Sequence, residues 1–173
     1  MNKRDLIKAV AVFSIIALCS GIVLGLVVQL TRISDEERLK RVINELESFY
    51  GSNNFEPVDF ESDANIQYFF YDEEKDIYAI VAVGEKGYSD IVVMYVIIKD
   101  DKIAALKAGD NKETPGVSDS AFSQNFFARF LDKDILSISF TDIETGASAA
   151  YSRRAVVSSI KNAVEFYIEY KGL

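Results

Sequence analysis

Twenty-two consecutive residues, Ala9 to Leu30, carry no charge. At about 1.5 Å per residue, a helix over this run reaches roughly 33 Å, against about 30 Å for the hydrocarbon core of a bilayer. Ser14, Ser20 and Gln29 are too few to give such a helix a polar face, so a buried soluble helix does not fit. A cleavable leader has an apolar part of about 7–15 residues and ends at a small-residue site. This run is longer and ends Val27-Val28-Gln29-Leu30. Cys19 follows Leu18, where a lipidation site would need a small residue, and reads as one more apolar residue of the span. The expectation is a single-pass anchor over residues 9–30 behind a short N-terminus, residues 1–8. Lys3, Arg4 and Lys8 precede the span, while Asp35, Glu36 and Glu37 follow it. Basic residues stay on the cytoplasmic side. The expected arrangement is therefore a cytoplasmic N-terminus and an extracytoplasmic domain at the cell membrane, with Arg32, Arg38, Lys40 and Arg41 as the counterweight.

Beyond the span, residues 31–173 hold 16 basic and 26 acidic residues, a net of −10. That surface repels nucleic acid and anionic lipid headgroups alike. The stretch is long enough for one domain with its own core. The chain has no His and a single Cys, in the span. A Ser-His-Asp triad, a histidine metal site, a thiolate zinc site and an iron–sulfur cluster are all excluded within the chain. No metal site is expected, and chemistry, if present, would come from carboxylates, hydroxyls or a bound cofactor.

Patterning places the elements. Ala17, Gly21 and Gly25 recur every four residues, a stripe that lets a second helix approach closely or that arises by chance. Ser34 with Glu37 forms a capping box, and Leu39, Val42, Ile43, Leu46 and Phe49 follow helical spacing up to Gly51. This predicts a linker helix within residues 31–50 and a domain over 51–173. Residues 51–65 read as a loop. Strands are predicted at 67–71, 77–83, 91–98 and 103–107, separated by turns at 84–87 and 100–102, as an antiparallel meander. A helix carrying Phe122, Phe126, Phe127 and Phe130 starts near Ser118 or Asp119, with the Phe stripe as core. A short strand is predicted at 135–140 and a terminal helix from Ser152. The fold class is α+β: one transmembrane helix, then a mixed, mainly antiparallel sheet packed with helices.

Two loops stand out. In Asn111-Lys112-Glu113-Thr114-Pro115-Gly116-Val117, Pro115 restricts Thr114 and Gly116 permits close backbone approach, which presents Glu113 and Thr114 at a defined place or makes an ordinary turn. Asp142-Ile143-Glu144-Thr145-Gly146-Ala147-Ser148 is small and hydroxyl-bearing. It leads into a helix whose first turn has Arg153 and Arg154. Such a start suits a phosphate, or the loop simply caps the helix.

Taken together with the Gly87-Tyr88 turn before an apolar strand, these loops resemble the FMN-binding domain family found in the Rnf complex G subunit and in the C subunit of sodium-translocating NADH:quinone reductase. The resemblance covers most of the chain, span included. It implies FMN joined covalently by a phosphoester bond to the hydroxyl of Ser148, a position usually Thr in the family. Ser152 is a rival acceptor nearby. Asp142 maps to the segment recognised by a flavin transferase, and Thr145, Gly146, Ala147, Glu113, Thr114, Gly116 and Val117 map to the cofactor's surroundings. The chain departs from the family pattern at Asn111, often His, and at Val117, often Leu. It departs again at Ala150 and Tyr151, usually Thr and Ser. The resemblance further implies an electron-transfer subunit of a membrane-bound, ion-translocating ferredoxin:NAD oxidoreductase of the Rnf type. Its partners would be the other membrane subunits and, during maturation, the transferase. The alternatives are a free-standing anchored extracytoplasmic flavoprotein and a cofactor-free anchored sensor or binding module.

Overall fold

In the computed structural model, which describes residues 3–31, 33–61, 63–141 and 149–173, the alternating apolar runs become a sheet. The chain divides into two compact units, one up to Val42 and one from Ile43. Helix α1 spans Lys3–Thr31 and contains the uncharged stretch Val10–Leu30, long and apolar enough to cross a membrane. Over residues 10–30 its side chains, Phe13, Leu18 and Leu24 among them, are exposed. The Ser20 hydroxyl donates to the Ile16 carbonyl at 2.9 Å, so that polar group is satisfied within the helix, as a helix in hydrocarbon would require. Helix α2, Asp35–Tyr50, begins where the capping box predicted, with Ser34 Oγ accepting from the Glu37 amide at 3.2 Å.

The second unit is built on five strands: β1 Glu56–Pro57, β2 Ile66–Asp72, β3 Ile77–Lys86, β4 Ile91–Lys99 and β5 Lys102–Ala108. Their spatial order is the chain order, and every pairing is antiparallel. β3 and β4 are nearly continuous apolar runs because both of their faces are covered. One face, with Tyr78, Ile80, Ala82, Val92, Met94 and Val96, packs on helix α4, Ala150–Lys171. Ala155, Val156, Ile160, Ala163, Val164 and Tyr167 form the buried stripe of that helix. The larger aliphatic side chains among these, Val156, Ile160 and Val164, contribute about 1.5–3 kcal/mol each when fully buried. The opposite face buries Phe70, Ala79, Val81 and Ile97. On that face the Tyr95 hydroxyl donates to Glu45 of α2 at 2.7 Å, and Lys107, the cross-strand partner of Tyr95, pairs with Glu45 at 2.8 Å.

α4 lies close against the far end of β3. A Cβ on Gly84 would stand 2.5 Å from the Ser159 amide nitrogen and 2.6 Å from the Ala155 carbonyl oxygen, so only glycine lets the helix sit there. Ser159 Oγ donates to the Val92 carbonyl at 2.9 Å, and Asn162 Nδ2 to that of Val83 at 2.8 Å. The helix start is thereby fixed to the β3–β4 end of the sheet.

Four expectations change. Residues 135–140 are not a strand: Asp134 makes one isolated bridge to Lys102 and then turns the chain, its Oδ1 accepting from the Leu136 amide at 2.9 Å. The apolar residues there fill the core one by one, Ile135 being buried. The Phe helix is broken into a 3-10 turn, Asp119–Ala121, and a short α3, Gln124–Phe127. Ser123 divides them, because its Oγ accepts from the Phe126 amide and donates to the Ser120 carbonyl. β3 continues through Gly84 to Lys86, which moves the turn to Gly87–Asp90. The 51–65 loop contains the short edge strand β1.

Candidate functional site

The loop after β5 is shaped by its own polar side chains. Asn111 Oδ1 accepts from the Glu113 amide at 3.1 Å, an Asx turn that aims the Glu113 side chain back toward the sheet. The Thr114 carbonyl accepts from the amides of Val117 and Ser118 and from Ser118 Oγ at 2.8 Å. Gly116 has φ +80°, a conformation that favours glycine, and its amide donates to Asp119 Oδ1 at 2.9 Å. Thr114, Pro115, Gly116 and Val117 consequently lie at the surface.

Glu113 is buried, with 6% of its surface exposed. Its Oε1 accepts from the amides of Ser89 at 2.8 Å and Asp90 at 3.2 Å. Its Oε2 accepts from the Tyr88 amide at 3.2 Å and from the hydroxyl of Ser152. Three successive backbone N–H groups form a concave donor site of the kind that binds anions. Here the anion is the protein's own carboxylate. Gly87 makes the approach possible: a Cβ there would stand 2.7 Å from Glu113 Oε1. Burial pushes the carboxyl's pKa up. The donors from Ser152 and from the Ser89, Asp90 and Tyr88 amides outweigh that and hold it below the ordinary carboxylate range. One side chain thus ties together the β3–β4 turn, the Thr-Pro-Gly loop and the first turn of α4.

α4 itself starts abruptly. Ala149 has φ +58° and offers no side-chain cap. Arg153 lies over the Phe126 ring at 5.5 Å, and its buried Nε has no hydrogen-bond partner among the described residues. Arg154 lies over the Tyr151 ring at 5.9 Å. Ser152 is 2% exposed with its hydroxyl directed at Glu113, which makes it a poor acceptor for a bulky phosphoester. The predicted segment with Asp142, Thr145, Gly146, Ala147 and Ser148 lies outside the described residues.

The structure therefore brings Glu113 together with the Gly87-Tyr88 turn and α4, and leaves Thr114, Gly116 and Val117 displayed at the surface beside them. Sequence reasoning missed the Ser152–Glu113 pair, which spans 39 residues and has no local signature. The one available hint was the glycine before Tyr88. Among the described residues no cluster of His, Cys, Asp and Glu could hold a metal ion. Against known families, residues 87–165 match the model of the FMN-binding domain. No curated protein matches the chain. The family match supports FMN as cofactor and a flavin-binding, electron-transfer role. Helix α1 is compatible with a single-pass membrane anchor.

Proposed function

We propose that this chain is the G subunit of an Rnf-type, ion-translocating ferredoxin:NAD oxidoreductase. It carries FMN through a phosphoester bond to Ser148 and passes electrons between neighbouring cofactors of the complex. The observation that carries this reading is the Glu113 node: its three segments all lie within the matched residues 87–165 and converge at the start of α4, just after the attachment segment.

The residues present fit the cofactor. Among the described residues the start of α4 has no side-chain cap and Arg153 Nε has no hydrogen-bond partner, which suits a phosphate, and Gly116 has open space around it. FMN supplies the redox chemistry, and the protein positions it. Ser148 carries the attachment, since the rival hydroxyl of Ser152 is committed to Glu113. Asp142 belongs to the transferase-recognition segment. Thr114, Gly116 and Val117 border the ring, and Glu113 acts as the support behind them. The Rnf assignment is preferred to the quinone-reductase C subunit because little chain separates α2 from β2. With the N-terminus in the cytoplasm, the domain over 51–173 is extracytoplasmic, and the tether keeps the flavin from being lost by dilution. The small-residue stripe of α1 packs against partner subunits.

The test is fluorescence of the denatured protein on a gel, after expression alongside a flavin transferase. A flavin band in wild type that disappears in Ser148→Ala is expected. A colourless wild-type protein would sink the flavoprotein reading. Co-purification with polytopic partners is expected of the complex subunit, and isolation as a lone flavoprotein overturns the Rnf assignment.

A further inference from the structure

Outside α1, few large apolar side chains of the described residues are exposed, and three of them sit on the segments that Glu113 ties together. Tyr88 is 70% exposed, Tyr151 62% and Val117 57%. The amide of Tyr88 and the hydroxyl of Ser152, the residue after Tyr151, donate to the same oxygen, Glu113 Oε2. The two tyrosines therefore leave the backbone from neighbouring points. The turn and the helix start that carry them are held rigidly by a buried carboxylate. A flat aromatic ligand gains from such rings by offset or edge contact as well as by area. The proposed acceptor Ser148 is three residues before Tyr151, a reach of at most about 11 Å along the chain.

We infer that Tyr88 and Tyr151 hold the isoalloxazine ring of the tethered flavin, with Val117 at its edge. The inference rests on the proposed attachment at Ser148. It names residues specific to this chain, since Tyr151 stands where the resembling family usually has Ser. Arg154 lies over the Tyr151 ring at 5.9 Å. The tyrosines are positioning residues and exchange no proton or electron in this role.

The experiment uses the full chain in detergent, made alongside the transferase, and reads iodide quenching of the attached flavin in the native protein. Replacing both rings, Tyr88→Leu with Tyr151→Leu, is expected to raise the quenching constant about fivefold, because the ring spends more time undocked. The Phe pair, Tyr88→Phe with Tyr151→Phe, keeps flat rings and is expected to match wild type. Tyr170→Leu, at the other end of α4, is expected to leave quenching unchanged. A Leu pair that matches wild type while its denatured gel band is intact overturns the inference. A wild-type protein without that band fails the attachment reading instead, so the two failures are told apart.

Discussion

Two buried carboxylates, each accepting a hydrogen bond from a serine hydroxyl, brace opposite ends of the same sheet. At the β2–β3 end, Asp72 accepts from Ser52 and from the Lys75 amide at 3.1 Å. At the β3–β4 end, Glu113 accepts from Ser152 and from three consecutive amides. The device is similar but the surfaces around it are not. Around Asp72 the turn exposes Glu73, Glu74, Lys75 and Asp76, a solvated charged end. Around Glu113 the exposed residues include Tyr88, Val117 and Tyr151. A contiguous exposed apolar patch is the kind of surface that binds a ligand or partner, whereas charged side chains suit an end that faces water. The Asp72 lock serves the fold; under the proposed function, the Glu113 lock also supports the cofactor.

The contrast is most severely tested by removing each carboxylate. Glu113→Ala leaves a buried hydroxyl and three amides without their acceptor, and is expected to cost about 3 kcal/mol in denaturant unfolding. It should also free the flavin ring to iodide. Asp72→Ala is expected to cost about 2 kcal/mol and to leave flavin attachment and iodide access as in wild type. Equal effects of the two variants on the flavin would break the comparison. Gly87→Ala pushes a methyl group against Glu113 Oε1 and is expected to cost about 1.5 kcal/mol while loosening the ring. Ser152→Ala removes one donor of four, costs about 1 kcal/mol, and keeps the flavin band. Loss of the band would move the attachment to Ser152.

The smallest effect is a pH dependence. The Glu113 carboxyl is held below its ordinary pKa of about 4.3 in the folded protein, so its ionised form favours folding above that pH. The contribution is lost as pH falls through the depressed value. The stability gap between wild type and Glu113→Gln is therefore expected to narrow as pH falls below about 4.3. A gap that does not change with pH would mean that the carboxyl titrates normally, and that the lock acts by shape alone.

Much of this was legible in the residues because it depends on local patterning. The uncharged run 9–30, the Ser34 cap, the apolar runs of β2 to β5 and the stripe of α4 are each set by neighbours within a few positions. The strand predicted at 135–140 failed because Asp134 and Ser137 offer the backbone turn bonds that compete with a ladder. The Phe helix failed for the same reason at Ser123. The Glu-Thr-Pro-Gly loop was readable as an unusual loop that presents two side chains, Thr114 and the Glu113 carboxylate. Its direction was not readable.

By itself, then, the sequence determined a helix long and apolar enough to cross a membrane, an acidic α+β domain without histidine or thiolate chemistry, and two loops that resemble a flavin-binding pattern. These follow from composition, period and short motifs, which act over a few residues. Only the tertiary structure decided that Glu113 turns inward to three amides and a serine 39 positions away, and that Tyr88 and Tyr151 leave the chain from neighbouring points. A carboxylate finds its donors through the fold, because the burial that makes an unpaired charge so costly exists only once the sheet and α4 have come together.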